Sequence, residues 1–161
     1  MIRGRVSPGP RVLAVAATGT AVAVGGLEFA AIWREQPYPL IPFVTSIALV
    51  MGAPDAEASR PRALIGGHVL CTVVGYLFLA LFGSSPWIAA IAAGAAVATM
   101  LATRTFHPPA GIDPFLVVND ALGPAFLLGT VLPGSLALAA FAALWRRLGR
   151  RLGIGASAGG P

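Results

Sequence analysis

The sequence predicts an all-α integral membrane protein: a helical bundle of four long transmembrane helices plus two short, proline-containing broken helices. Their order suits an inverted three-plus-three repeat. Three observations carry this expectation. Hydrophobic residues make up 57% of the chain and charged residues only 11%, against roughly a quarter charged in an ordinary soluble domain. The apolar residues fall in blocks, several of them near the roughly 20 residues that carry a helix across the hydrocarbon core. The basic residues behind the net charge of +5 are all arginines, placed at the two ends and between the blocks.

The first block, Val12 to Trp33, is rich in Ala and Val and is interrupted only by Glu28, so it reads as a full crossing. Although Arg3, Arg5 and Arg11 precede it, the run is too long for a signal peptide and lacks a cleavage site, so the span is retained. The second block, Tyr38 to Ala53, is shorter and carries Pro39 and Pro42 at its start, where proline removes backbone donors. It reads as a half-length helix. After a polar hinge, Pro54 to Arg62, the block Ala63 to Gly83 is long enough to span. A Gly83-Ser84-Ser85-Pro86 turn leads into a fourth crossing, Trp87 to Thr103, closed by Arg104. After the run His107 to Gly111, the stretch Ile112 to Asp120 is too short and too interrupted, by Asp113 and Pro114, for an ordinary span, and forms the second broken element. The last block, Leu122 to Trp145, contains Pro133 and Gly134 and ends on Arg146, Arg147, Arg150 and Arg151. One membrane domain, 12–145, therefore lies between a basic N-terminus, 1–11, and a basic then Gly-rich tail, 146–161, whose composition predicts disorder.

Arginine concentrates on cytoplasmic loops. If both short elements cross, the N-terminal arginines, Arg60, Arg62, Arg104 and the C-terminal cluster all lie inside, and only Arg34 lies outside. If the short elements dip in and return, Arg34, Arg60, Arg62 and Arg104 all lie outside. Six passages with both termini cytoplasmic, in a cell inner membrane, are therefore expected. Trp33, Tyr38, Trp87 and Trp145 sit at block ends, as interfacial anchors do.

Almost nothing polar lies between the basic clusters, which excludes a nucleic-acid partner. Cys71 is the only cysteine, so no intrachain disulfide and no multi-thiolate site can form. The expected partners are the lipid bilayer, a small solute and, in a homo-oligomer, further copies of the chain. Small residues at four-residue spacing, Ala90, Gly94 and Ala98, and again Ser135, Ala139 and Ala143, predict close helix packing.

Candidate site residues follow from broken backbone, which at membrane depth is tolerated only where it is buried in protein or lines a cavity. His107 is held extended before Pro108 and Pro109, and the amides after them would face an anion. Pro42, Thr45 and Ser46 of the first broken element, with His68 and Arg104 and beside Gly66 and Gly67, would complete a solute path. His68, Cys71, Thr72 and Gly75 share one helix face. Moving an anion inward against 100 mV costs about 2.3 kcal/mol, so uptake calls for a steep gradient or an accompanying proton, and the usual titration range of histidine makes His107 the expected proton carrier. An enzyme using His68 and His107 as metal ligands would need a further convergent ligand; neither catalysis nor a cofactor or metal is expected. The alternative to transport is a membrane subunit packing on a partner through its small-residue stripes.

The run His107-Pro108-Pro109-Ala110-Gly111 resembles the signature of the HPP family of integral membrane proteins. Ala53-Pro54-Asp55, Arg60-Pro61-Arg62 and Ile65-Gly66-Gly67-His68 resemble that family's acidic-loop and GGH region, and Leu40 to Ser46 its preceding proline-containing segment. The resemblance covers Val12 to Trp145 and implies a multi-span protein. It also implies a transporter with nitrite as one solute, since some plastid and cyanobacterial members are associated with nitrite transport. The chain departs from the pattern at Val44, where a glycine is usual, and at Ile112, Asp113 and Pro114, where small and hydroxyl residues are usual. An acidic Asp113 beside an anion site would repel the anion. The soluble nucleotide-sensing domain of some larger relatives is not in this sequence.

Overall fold

Proline sets where the helices begin. In the computed structural model, which describes residues 9–33 and 40–151, Pro61, Pro86 and Pro124 stand at the first turn of their helices, where the missing N–H has no intrahelical partner to lose. The helices are α1 (Pro10–Trp33), α2 (Leu40–Gly52), α3 (Pro61–Phe82), α4 (Pro86–Thr103), α5 (Ile112–Asn119) and α6 (Pro124–Arg151). Single 3-10 turns, Glu57–Ser59 and Pro108–Gly111, precede α3 and α5. No strand occurs among the described residues. The expectations for Arg3, Arg5, Arg34, Tyr38, Pro39 and the tail beyond Arg151 lie outside the described residues.

Four helices, α1, α3, α4 and α6, are long and apolar enough to cross a membrane. The two short elements are helical only in part, as the prolines predict: α2 has 13 residues and α5 has 8, about 20 and 12 Å at 1.5 Å per residue. The last helix is longer than its apolar block. It runs on through the arginines to Arg151 and contains a π-helical turn, Leu127–Val131, just ahead of Pro133. A widened turn there suits a proline that has no N–H to continue the α ladder.

Hydrogen bonds between elements define the two ends of the bundle. At one end the Arg62 guanidinium donates to the Thr103 carbonyl at 3.0 Å, joining the start of α3 to the end of α4. At the other, the Ser84 hydroxyl donates to the Asn119 carbonyl at 3.4 Å and Tyr76 to the Gly123 carbonyl at 2.7 Å. The segment from Thr103 to Asn119 therefore passes from the first end to the second. Val12, Asp55, Arg146 and Arg150 border one cavity, which places the start of α1 and the ends of α2 and α6 at the first end as well. Every arginine among the described residues sits at that end.

α3, α4 and α5 pack on one another, and α1 lies at the edge with only Gly19 and Ala31 fully buried. Ser135 and Ala139 are buried and Ala143 half-buried, as their spacing predicts. The Ala90, Gly94 and Ala98 stripe is corrected: all three are exposed, and α4 packs inward through Ala89, Ala92, Ala96 and Met100. On a helix this rich in alanine, several faces carry small residues at four-residue spacing, so spacing alone cannot choose between them. Trp33 and Trp87 are exposed at helix ends, whereas Trp145 turns inward against Gly19.

Candidate functional site

The site forms where both broken elements meet α3. A Cβ added at Gly67 would lie 2.9 Å from His107 Cβ and 3.0 Å from the Thr105 carbonyl oxygen, and one at Gly66 would lie 2.9 Å from Thr105 Cγ2. Only glycine lets the extended run Thr105–His107 lie this close to α3. About two turns on, a Cβ at Gly75 would meet Pro114 Cα at 2.8 Å. The glycines of α3 thus form the groove that seats the second broken element.

Within that groove runs an unbroken hydrogen-bonded chain. Asp113 Oδ2 lies 2.7 Å from His68 Nδ1, and His68 Nε2 lies 2.9 Å from Ser46 Oγ. Ser46 Oγ lies 3.0 Å from His107 Nε2, and His107 Nδ1 lies 2.6 Å from the Ala58 carbonyl oxygen, which accepts its proton. Asp113, His68, Ser46 and His107 are each 0% exposed. Thr72, one turn along α3, donates to the His68 carbonyl at 2.8 Å and lies 3.5 Å from Asp113 Oδ2. Phe43 packs against the His68 ring, with centroids 4.8 Å apart. Asp113 Oδ1 is buried without a hydrogen-bond partner, an arrangement that costs about 1–3 kcal/mol and more for a charged group.

The predicted residues divide on this geometry. His68, Ser46 and His107 meet in the chain, and Gly66 and Gly67 make room for it. Pro42 is buried and its carbonyl oxygen lies 3.1 Å from Ser46 Oγ. Pro108, Pro109, Ala110 and Gly111 form the 3-10 turn that swings His107 inward and starts α5. Thr45 and Arg104 are exposed and make no contact with the chain; Arg104 instead caps α4 in a left-handed conformation, φ 56°. Asp55 and Arg60, in the loop before α3, and Arg62, in its first turn, are exposed at the arginine-rich end. No trio of His, Cys, Asp or Glu side chains is placed as metal ligands among the described residues, and both ring nitrogens of His68 are already engaged.

Sequence reasoning missed Asp113 as a member of the site. It reads there as an interruption of a span and a repeller of anions, yet it anchors the chain. The signal was present, because an ionisable residue in an apolar membrane segment marks function by default. The Ala58 carbonyl was not legible, since backbone acceptors leave no trace in side-chain identity. Two cavities, of about 340 and 370 Å³, lie elsewhere, between α1, α2 and α6.

The chain matches the family described as HPP, transmembrane region, over residues 5–152. It belongs to the HPP family. The HPP signature here is thus the turn that delivers His107 to the buried chain. A transmembrane protein of Dictyostelium discoideum is 30% identical to this HPP protein over 92 residues, 55% of this chain and 30% of the relative. The chain thus spans under a third of that relative's length. No solved structure matches it.

Proposed function

We propose that this HPP protein moves a small solute across the membrane through the space between its two broken elements. The observation that carries this reading is the buried chain Asp113, His68, Ser46 and His107, drawn from α2, α3 and the α5 element. Buried polar groups at membrane depth are expensive, and they mark solute or proton paths. Half-helices meeting at the bundle centre are the usual carrier site. The chain is closed to solvent in this conformation, so passage requires α2 or the α5 element to shift and expose it. That makes the protein a gated carrier.

A small monovalent anion, with nitrite as one member of that class, suits the histidine donors only if its charge is balanced, because Asp113 is acidic and Arg104 lies on the surface. An accompanying proton supplies that balance. The arginine-rich end is the cytoplasmic face of an inner membrane by the positive-inside rule, and the alternating sense of the passages is read as an inverted repeat. The test is uptake of nitrite, nitrate, formate and chloride into proteoliposomes at two external pH values, wild type beside His107→Ala. Saturable, pH-dependent flux that the variant loses identifies the solute; flux equal in both sinks the reading.

A second reading has its own observation. Ala90, Gly94 and Ala98 leave a small-residue face of α4 exposed, the kind of surface that receives another transmembrane helix. On that reading the protein is a non-transporting subunit. Ala98→Leu would then abolish co-purification with its partner while His107→Ala left it intact.

A further inference from the structure

The buried chain has more contacts than hydrogens to fill them. Four contacts run from Asp113 Oδ2 to the Ala58 carbonyl, at 2.7, 2.9, 3.0 and 2.6 Å. Each joins two electronegative atoms and needs one hydrogen between them. With Asp113 ionised and both histidines neutral, the chain holds three: one on each imidazole and one on the Ser46 hydroxyl. The Ala58 carbonyl can only accept, which fixes one of these on His107 Nδ1. His107 Nε2 then offers a lone pair, so the Ser46 hydrogen must point at it, and His68 Nε2 must donate to Ser46. Nothing is left for the contact between His68 and Asp113.

We propose that the chain binds one excess proton and is a relay that carries it between Asp113 and His107, which deepens the carrier reading by making H⁺ the coupling ion. Charge leads to the same count. With the fourth hydrogen the chain is neutral overall; without it, a full negative charge is buried where none of the described arginines reaches, a costly arrangement. The unpartnered, buried Asp113 Oδ1 is tolerable as the carbonyl of a neutral acid and much less so as half of a carboxylate. Were the Ser46 hydrogen given to the Pro42 carbonyl at 3.1 Å, the chain would need a second extra proton, so one is the minimum.

The transfer balances atom by atom. The O–H bond at Asp113 Oδ2 breaks as N–H forms at His68 Nδ1; the N–H at His68 Nε2 breaks as O–H forms at Ser46; the former Ser46 O–H breaks as N–H forms at His107 Nε2. No electrons change hands. The start is a neutral acid with two neutral imidazoles, and the end is the Asp113 carboxylate with a His107 imidazolium. The surroundings hold few rivals for the proton. Around Asp113, α3 presents His68, Thr72 and Cys71; around His107, α2 presents Ser46, α4 presents Met100 at the same crossing, and the preceding loop presents the Ala58 carbonyl. Among the described residues, Cys71 is the other titratable side chain there.

The relay is a half-path. Its His107 end opens towards the half-buried Ala58 at the arginine-rich end, whereas beyond Asp113 the bundle is filled by Leu116, Val117 and Val118 packed on α4 and α6. A proton delivered to Asp113 stops there until the elements move, which is what coupling in a carrier requires and a proton channel lacks.

The test uses the purified full chain at rest, with no solute. Its two histidines are labelled with ¹⁵N so that imidazole and imidazolium are counted by nuclear magnetic resonance, and the protonated-carboxyl band is counted by infrared absorption. At neutral pH the two signals sum to one proton per wild-type chain and to none in Asp113→Asn, whose amide N–H supplies the fourth hydrogen by itself. Neutral histidines with an ionised Asp113 in the wild type overturn the proposal, and so does a variant that keeps the proton. The wild-type count decides alone should the variant fail to fold. Because no flux is measured, a failure here leaves the transport reading standing, and absent flux leaves this count standing.

Discussion

Glycine and serine decide more in this protein than its charged residues do. Gly67 has no room for a methyl group, since both His107 Cβ and a backbone oxygen lie within 3.0 Å of where one would sit. Gly67→Ala should therefore lower stability by about 1–3 kcal/mol, the usual cost of overpacking, read as an earlier thermal unfolding midpoint in detergent. Gly94→Ala should leave that midpoint unmoved or raise it, because nothing lies within 4 Å there. Ser46 joins the two histidines, so Ser46→Ala leaves their ring nitrogens unpaired in a buried site and should cost about 1–3 kcal/mol. The same scale shows what the sequence could disclose. His68 and His107 announce themselves as rare polar residues in apolar surroundings, and the prolines beside His107 announce broken backbone. Their bridging by Ser46 and the anchoring by Asp113 were hidden, because both depend on how α2 and α5 approach α3, a distance of 22 and 45 residues along the chain.

At the scale of elements, the boundaries were readable to within a few residues wherever proline or glycine punctuates the chain, as at Pro61, Gly83 and Pro86. They failed at α6, where the apolar block stops near Trp145 but the helix does not, since arginine is itself a good helix former. Facing was less readable than length: α4 is so uniformly small that its buried and exposed sides look alike in sequence. The sense of α5 is testable. Residues 104 and 120 flank it, and Arg62 and Ser84 tie those two regions to opposite ends of α3. In a background where Cys71 is replaced by alanine, cysteines placed at Arg104 and Asp120 should be labelled by an impermeant thiol reagent from opposite faces of the membrane. Labelling from one face would mean that the segment dips in and returns.

The whole molecule is a tightly packed α3, α4 and α5 unit with α1, α2 and α6 beside it, and the polar chain lies on the seam between the two groups. α6 also packs on α3 and α5, but the side chain that α2 contributes to the polar chain is Ser46. Both cavities also lie on the side of α1, α2 and α6, so the space for movement is there, and α2 is the element expected to open the site. The measurement that bears most directly on this account compares two neighbouring residues of α2 in proteoliposomes: Ser46, which is buried in the chain, and Thr45, which is exposed. With both variants folded and inserted to the same level, Ser46→Ala should abolish solute flux and Thr45→Ala should retain it; equal flux through the two variants, or wild-type flux no greater than that of empty liposomes, would contradict a carrier built around the buried chain.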